Sequence, residues 1–232
     1  MTTQTAAQAV EDSLSFDETV RARRSVRAFR PDPVPREVLE HVFSLANRAP
    51  SNCNTQPWHV VVASGASCER LRKQVLAACS QGRFSMDFPY DGKYSGVFRE
   101  RQFDAAEQLY GAMDIAREDK ASRGAAFMRN FEFFGAPHVA FIFLPDWGGV
   151  REAADVGMYA QTLMLSLAAH GLASCPQTAL SFAADLVRDE LGIDPANKLL
   201  FGISFGYEDT THPANRCRVG RAAVSEVARF VD

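Results

Sequence analysis

The sequence predicts a layered α/β domain, on three observations. Segments of helical period alternate along the chain with short runs rich in β-branched and aromatic residues, WHVVVA, HVAFIFLP and KLLFGISFGY. Of the 232 residues, 47% are hydrophobic and 23% charged, the proportions of a globular chain that buries a substantial core. No repeat, low-complexity tract or linker interrupts the alternation, so residues 15–232 read as one domain and residues 1–14 as a flexible leader.

The elements follow in order. Ser15 and Glu18 have the spacing of a capping box, and Phe16 and Val20 form an apolar i, i+4 pair, so a short helix runs from here toward Arg24. PDPVP is extended, because proline fixes φ and pushes the residue before it out of the helical region. In REVLEHVFSLANRA, Val38, Leu39, Val42, Phe43, Leu45 and Ala46 mark an amphipathic helix that stops before Pro50. The loop SNCNTQ leads into the strand WHVVVA, and a helix covers CERLRKQVLAAC. QGRFSMDFPYDGKYSG, with no clear period, reads as an irregular loop. A long helix is expected from about Phe98 to Ser122, and a second short one before Phe134, which makes residues 80–134 an excursion from the core. HVAFIFLP is apolar throughout and predicts a strand buried on both faces. The helix EAADVGMYAQTLMLSLAAH, apolar nearly all round, belongs at the centre of the fold or in a subunit interface and is stopped by Gly171. CPQTAL reads as a turn, Ser181 as the cap of a helix FAADLVRDEL, KLLFGISFGY as the third strand, and the C-terminus as a short apolar helix.

Composition excludes several functions. With 25 Lys plus Arg against 28 Asp plus Glu, the chain has a net charge of −3 and offers no broad basic face for nucleic acid. No apolar run approaches the roughly 20 residues of a membrane span. The N-terminus has no basic segment followed by an apolar one, so a cytoplasmic location is expected. The five cysteines form no C-x-x-C pair and the five histidines no H-E-x-x-H pair, which argues against disulfides and a metal centre.

Two stretches stand out. RARRSVRAFR places five arginines in ten residues, Arg21 to Arg30. A helix C-terminus accounts for about two of them through its dipole, and an anion site accounts equally well for the cluster. In RAPSNCNTQPWH, the side chains of Ser51, Asn52, Asn54 and Gln56 bring uncharged donors and acceptors to the start of a strand, where they could pair with the edge of a heterocycle. A plain loop built on Pro50 and Asn52 accounts for the same residues.

Together, R-x-S-x-R at Arg23, Ser25 and Arg27, and the later loop of Pro50, Ser51, Asn54, Gln56, Pro57 and Trp58, resemble the FMN-dependent nitroreductase family. The resemblance continues through FFGAPHVAFIF, DVGMYAQTLMLSLAAHGLASCPQ, GISFGY and the arginines before the last helix. It implies a mixed, mostly antiparallel central sheet flanked by helices, and a homodimer with FMN at the subunit interface. It also implies two-electron, ping-pong transfer from NADPH or NADH through flavin N5 to a nitroaromatic, quinone or related small-molecule acceptor. Arg23, Arg24 and Ser25 would hold the phosphate and ribityl chain, and Arg218 and Arg221 the phosphate. Arg27 would lie by N1 and the C2 carbonyl, stabilising the charge that reduction places there. Pro50, Ser51, Asn52, Asn54 and Gln56 would meet the ring or ribityl group. The turn Pro176, Gln177, Thr178 and Ala179 would offer a backbone N–H toward N5, and Asn130 corresponds to a ring contact in some relatives. No side chain is required as an acid. A flavin-binding module without turnover, a reductive dehalogenase and a flavin-fragmenting enzyme remain open on the same fold. Cys175 reads as a small apolar filler, with no base or second cysteine to make it a redox thiol.

Overall fold

The structure, a computed structural model, describes residues 14–231, so the expected leader lies outside the described residues except for Leu14. Four strands form one sheet in the order β1-β2-β4-β3. β1 is His59–Ser64, β2 His138–Pro145, β3 Ala173–Gln177 and β4 Asn197–Gly206. All three pairings are antiparallel, with Val61 opposite Phe141, Ala140 opposite Ile203 and Cys175 opposite Ser204. Parallel pairing is confined to isolated bridges, one of them between Ser25 and Ser174, where the Val26 N–H donates to the Ser174 carbonyl at 3.0 Å. The arginine segment thereby lies along the open edge of β3.

β2 is internal, and seven of its eight residues are buried, as its unbroken apolar run predicts. Its side chains alternate between two cores, as the two-residue period of a strand requires. Ala140, Ile142 and Leu144 face a layer made by α2 (Arg36–Ala46) and α6 (Val150–Ala169), with Val42, Leu163 and Leu167 fully buried there. Val139, Phe141 and Phe143 face α3 (Gly65–Ser80) and α7 (Ala184–Leu191), with Leu71, Val75 and Val187. Each such leucine or phenylalanine contributes about 1.5–3 kcal/mol by burial, which fixes the helices on both sides of the sheet. α1 (Phe16–Ala22) begins with the expected capping box: the Ser15 N–H donates to Glu18 Oε2 at 2.8 Å, and the Glu18 N–H to Ser15 Oγ at 3.3 Å.

Three expectations are corrected. The single helix over 98–122 is two helices, α4 (Gly96–Ala112) and α5 (Lys120–Met128). The break follows Gly111, passes through Asp114 at φ 57° and ends where Asp119 accepts the Ser122 N–H at 2.9 Å. Asp119 is a better cap than an interior residue, so the chain restarts there. The CPQ half of CPQTAL is strand, not turn: β3 is an edge strand, and Pro176 can occupy it because an edge leaves room for a missing N–H. The 3₁₀ turn starts only at Thr178. Ser181 does not cap α7; its hydroxyl donates to the Thr178 carbonyl at 2.8 Å, inside that turn, and the helix starts after Ala183.

α4 buries none of its residues, and Phe98 and Phe103 on it are exposed. α6 buries Val156, Tyr159, Ala160 and Leu163 but exposes Met158 and Gln161, so it is buried on one side only. The last helix, α8, is the short exposed turn Val224–Val227. Among the described residues, no helix is long and apolar enough to cross a membrane.

Candidate functional site

α1 ends at Ala22, and Arg23 takes an extended conformation. The chain then runs beside β3, and a two-residue alternation sorts its side chains. Val26 and Ala28 are buried, whereas Ser25 and Arg27 are only partly so. The wall they form lines a cleft of about 990 Å³ with the start of β3, Gln161 and Ala168 of α6, and Cys217, Arg218, Val219 and Arg221. That volume suits a cofactor-sized ligand. Arg23, Arg24, Ser25, Arg27, Arg218 and Arg221 all line this one cleft.

The arginines differ in what already satisfies them. Arg21 pairs with Asp17 at 3.9 Å, and Arg30 with Asp32 at 2.9 Å, both at exposed positions. Arg24 grips Glu208 with Nη2, at 2.6 Å to Oε2, while its Nη1 is buried without a hydrogen-bond partner. Among the described residues, Arg23, Arg27, Arg218 and Arg221 have no carboxylate within 4 Å. Arg218 Nη1 donates to the Asn215 carbonyl at 2.7 Å, and Arg221 Nη1 to the Gly220 carbonyl at 2.8 Å. Burial, and then the neighbouring Arg221 charge, hold Arg23 below the ordinary guanidinium range. Two cations have been brought together without an anion between them, an arrangement that a phosphate would relieve.

Cys175 lies beneath this wall with Val26, Phe29 and Phe134. Burial pushes its thiol up to about 11, against the pull of Arg27, Ser25 and Arg23. It is a protonated filler at neutral pH.

The other expected residues lie elsewhere. Pro176 and Thr178 are exposed, but the Gln177 side chain points inward: Nε2 donates to the Asn130 carbonyl at 3.0 Å, and Ser204 Oγ donates to Oε1. Of Pro176, Gln177, Thr178 and Ala179, none lines the cleft. Pro50, Ser51, Asn52, Asn54 and Gln56 do not line it either. Their loop is a tight knot with three non-glycine residues at positive φ, Cys53 at 49°, Asn54 at 57° and Gln56 at 48°. It is held by the Gln56 N–H on Ser51 Oγ at 2.9 Å and by the Asn52 N–H on Asp155 Oδ2 at 3.0 Å.

The sequence was matched by the nitroreductase family profile over residues 20–207. The chain belongs to the nitroreductase family. Nitroreductase NfnB of Mycolicibacterium smegmatis is 49% identical over 222 residues, covering 95% of this chain and 94% of the relative. The crystal structure of FMN-dependent NfnB in complex with NADPH superposes with a TM-score of 0.89 over 98% of this chain and 100% of that one. The FMN- and NADPH-dependent NfnB of Sphigopyxis sp. strain HMH, 38% identical, gives a TM-score of 0.90 over 94% and 100%. A 4-nitrobenzoate reductase of Pseudomonas putida is 35% identical over 93% and 95% of the two chains.

Within this nitroreductase, three residues outside the two motifs organise the site. Glu208 fixes Arg24. Asn215, buried, accepts the Arg27 N–H at 2.7 Å and donates to the Ala28 and Asp209 carbonyls at 2.9 and 2.8 Å, which aligns the arginine strand. Asp155, a buried carboxylate in the middle of an apolar helix, anchors the 51–56 loop. Only Asp155 carried a signal, since a lone acid in DVGMYAQTLML has to find a donor.

Proposed function

We propose that this protein is an FMN-dependent NAD(P)H nitroreductase whose arginine-lined cleft holds the FMN phosphate and ribityl chain. The observation that carries the reading is Arg23 facing Arg221 in a cofactor-sized cleft without a carboxylate between them. The orphaned Nη1 of Arg24 is a further buried donor suited to an anion. Arg23, Arg218 and Arg221 grip the phosphate, Ser25 the ribityl chain, and Arg27, held by Asn215, the electron-accepting edge of the ring. FMN held there would supply the redox chemistry that links NADPH or NADH to a nitroaromatic or quinone acceptor. The residues bind and orient, and none is needed as an acid. A relative named as a nitroreductase at 49% identity and one named as a 4-nitrobenzoate reductase at 35%, each over most of the chain, support the activity.

The loop with Ser51, Asn52 and Asn54 is exposed and outside the cleft of its own chain, so it meets the flavin bound by a second copy in a homodimer. Support comes from apolar residues left in solvent: Val20, which lines the cleft, is 44% exposed, Phe16 on the same helix 75% and Met158 of α6 40%, with Val227 and Phe230 of the C-terminal segment at 69% and 83%. A cytoplasmic location fits the use of a soluble dinucleotide reductant.

The test is direct. The purified protein should be yellow, bleach on anaerobic addition of NADPH and recolour with a nitroarene. Bound flavin that stays oxidised would leave a binding module instead, and loss of flavin carbon on reduction in air would favour the fragmenting enzyme. Arg23→Ala and Arg221→Ala should each lower FMN affinity by about tenfold or more, the cost of one charge-assisted contact. Unchanged affinity in both would overturn the placement. Gel filtration should give a species near twice the 25.5 kDa chain mass.

A further inference from the structure

Gln177 carries a buried amide on an edge strand, so its polar atoms have to be satisfied from inside the protein. It follows Cys175 by two residues and shares a face of β3 with it, and the residue opposite Cys175 is the fully buried Ser204. Gln177 Nε2 donates to the Asn130 carbonyl at 3.0 Å and to Asn130 Oδ1 at 3.2 Å. A backbone carbonyl can only accept, which fixes the orientation of the amide and turns Oε1 toward the Ser204 hydroxyl.

The Asn130 end of this chain of bonds carries backbone strain. The Asn130 carbonyl also accepts the Phe133 N–H at 3.0 Å, closing a turn in which Phe133 and Phe134 stand at φ 55° and 53°. Two consecutive bulky residues in the left-handed region persist only where their surroundings hold them. Burial of both rings supplies the apolar part of that hold. The Gln177 amide supplies the polar part, since it takes the second lone pair of the Asn130 carbonyl and a position on its side-chain oxygen. The turn delivers Phe134 beneath the arginine strand, where it packs with Val26, and Asn130 and Phe134 stand beside Arg27 on the wall of one small cavity. Asn215 fixes the Arg27 backbone, but the guanidinium donates to the Ser25 carbonyl at 3.3 Å, a long bond. Its direction therefore depends on the wall.

We propose that Gln177 is a positioning residue for Arg27: its buried amide holds the 130–134 turn in the strained form that supports the arginine strand. The assignment rests on the flavoenzyme reading above, in which Arg27 meets the electron-accepting edge of the ring. It adds control of that contact by a residue that lines neither the cleft nor the small cavity. Gln177 acts through the turn, not by touching the ring.

The experiment uses Gln177→Met, which keeps the length of the side chain and removes its hydrogen bonds. Amide hydrogen exchange should speed up by about tenfold or more at Phe133 and Phe134, the effect of losing about one hydrogen bond, and should rise at Arg27 as the strand loosens. In the FMN-loaded protein the flavin potential should fall, the direction expected for Arg27→Ala, and Arg27→Ala combined with Gln177→Met should fall no further than Arg27→Ala alone. Unchanged exchange at Phe133 and Phe134 would overturn the hold on the turn. Faster exchange there with Arg27 unaffected, an unchanged potential, or shifts that add in the double variant would overturn the positioning role, because a purely structural residue lowers stability and leaves the potential alone. Should Gln177→Met fail to fold, Ser204→Ala removes only the donor to Oε1; smaller shifts in the same readouts support the proposal, and no shift overturns it. If the protein binds no FMN, the function reading fails by itself, and exchange at Arg27 against Phe133 and Phe134 decides the proposal without the flavin.

Discussion

Removing the Asp155 carboxylate tests how the 51–56 loop is held. Cys53 and Gln56 occupy the left-handed region, at about 1–2 kcal/mol each for non-glycine residues, and Asn54 is there as the more tolerant type. The bond from the Asn52 N–H to the buried Asp155 carboxylate offsets much of that strain, because hydrogen bonds to charged groups contribute about 1.5–3 kcal/mol. At about 1.4 kcal/mol per tenfold, Asp155→Ala should depopulate the closed loop by about 10- to 100-fold. If that loop completes the flavin site of a second copy, FMN affinity falls by the same factor, read by fluorescence titration of apo-protein. Asp155→Asn keeps an oxygen that can accept the Asn52 N–H, so it should stay within about threefold of wild type. Hydrogen exchange at residues 52–56 reports loop release independently of the flavin. Faster exchange in Asp155→Ala with undiminished FMN affinity would refute the link between loop and flavin. Unchanged exchange would refute the anchoring itself.

Two further outcomes follow from the same geometry. Arg27→Ala should lower the potential of the bound flavin by tens of millivolts, about 30 mV for each 1.4 kcal/mol of lost stabilisation, in a spectroelectrochemical titration; an unchanged potential would remove Arg27 from the ring edge. His138 is buried, accepts the Val34 N–H at Nε2 at 2.9 Å and meets Ser64 Oγ at Nδ1 at 2.6 Å, and burial holds it below its usual 6.5. The unfolded chain therefore takes up this proton first, so the stability that the neutral ring contributes is present above pH 6.5 and is lost as pH falls through the lower folded value. Urea unfolding should show a midpoint that drops between pH 7 and 5, with a flatter profile in His138→Gln.

Much of the architecture was readable because it follows from local periodicity. The unbroken run of β2 can lie only where both faces are covered, and the Leu39, Val42, Ala46 spacing of α2 puts one stripe toward the sheet. The breaks were harder to read. The long helix over 98–122 looked continuous because propensity averages over a window, whereas the stop at Asp114 and the restart at Asp119 are single-residue events. β3 was hidden by its proline, which argues against a strand until the strand order shows that this one is at the edge.

The candidate site divides the same way. The arginine cluster and the uncharged loop were visible as composition, since five guanidiniums in ten residues are conspicuous in any fold. Their roles were not, because electrostatic partnership depends on distance in space. Arg24 is spoken for by Glu208, 184 residues away, and the Arg27 backbone by Asn215, 188 residues away, whereas Arg23 and Arg221 meet with no carboxylate between them. The sequence by itself determined most of the helices, the three apolar strands and which family the motifs resemble, all properties of near neighbours along the chain. Only the tertiary structure decided which arginines remain available to an anion and which acid anchors the loop. Charges and donors are satisfied by whatever the fold brings within about 3 Å, and that is a property of packing, not of spacing along the chain.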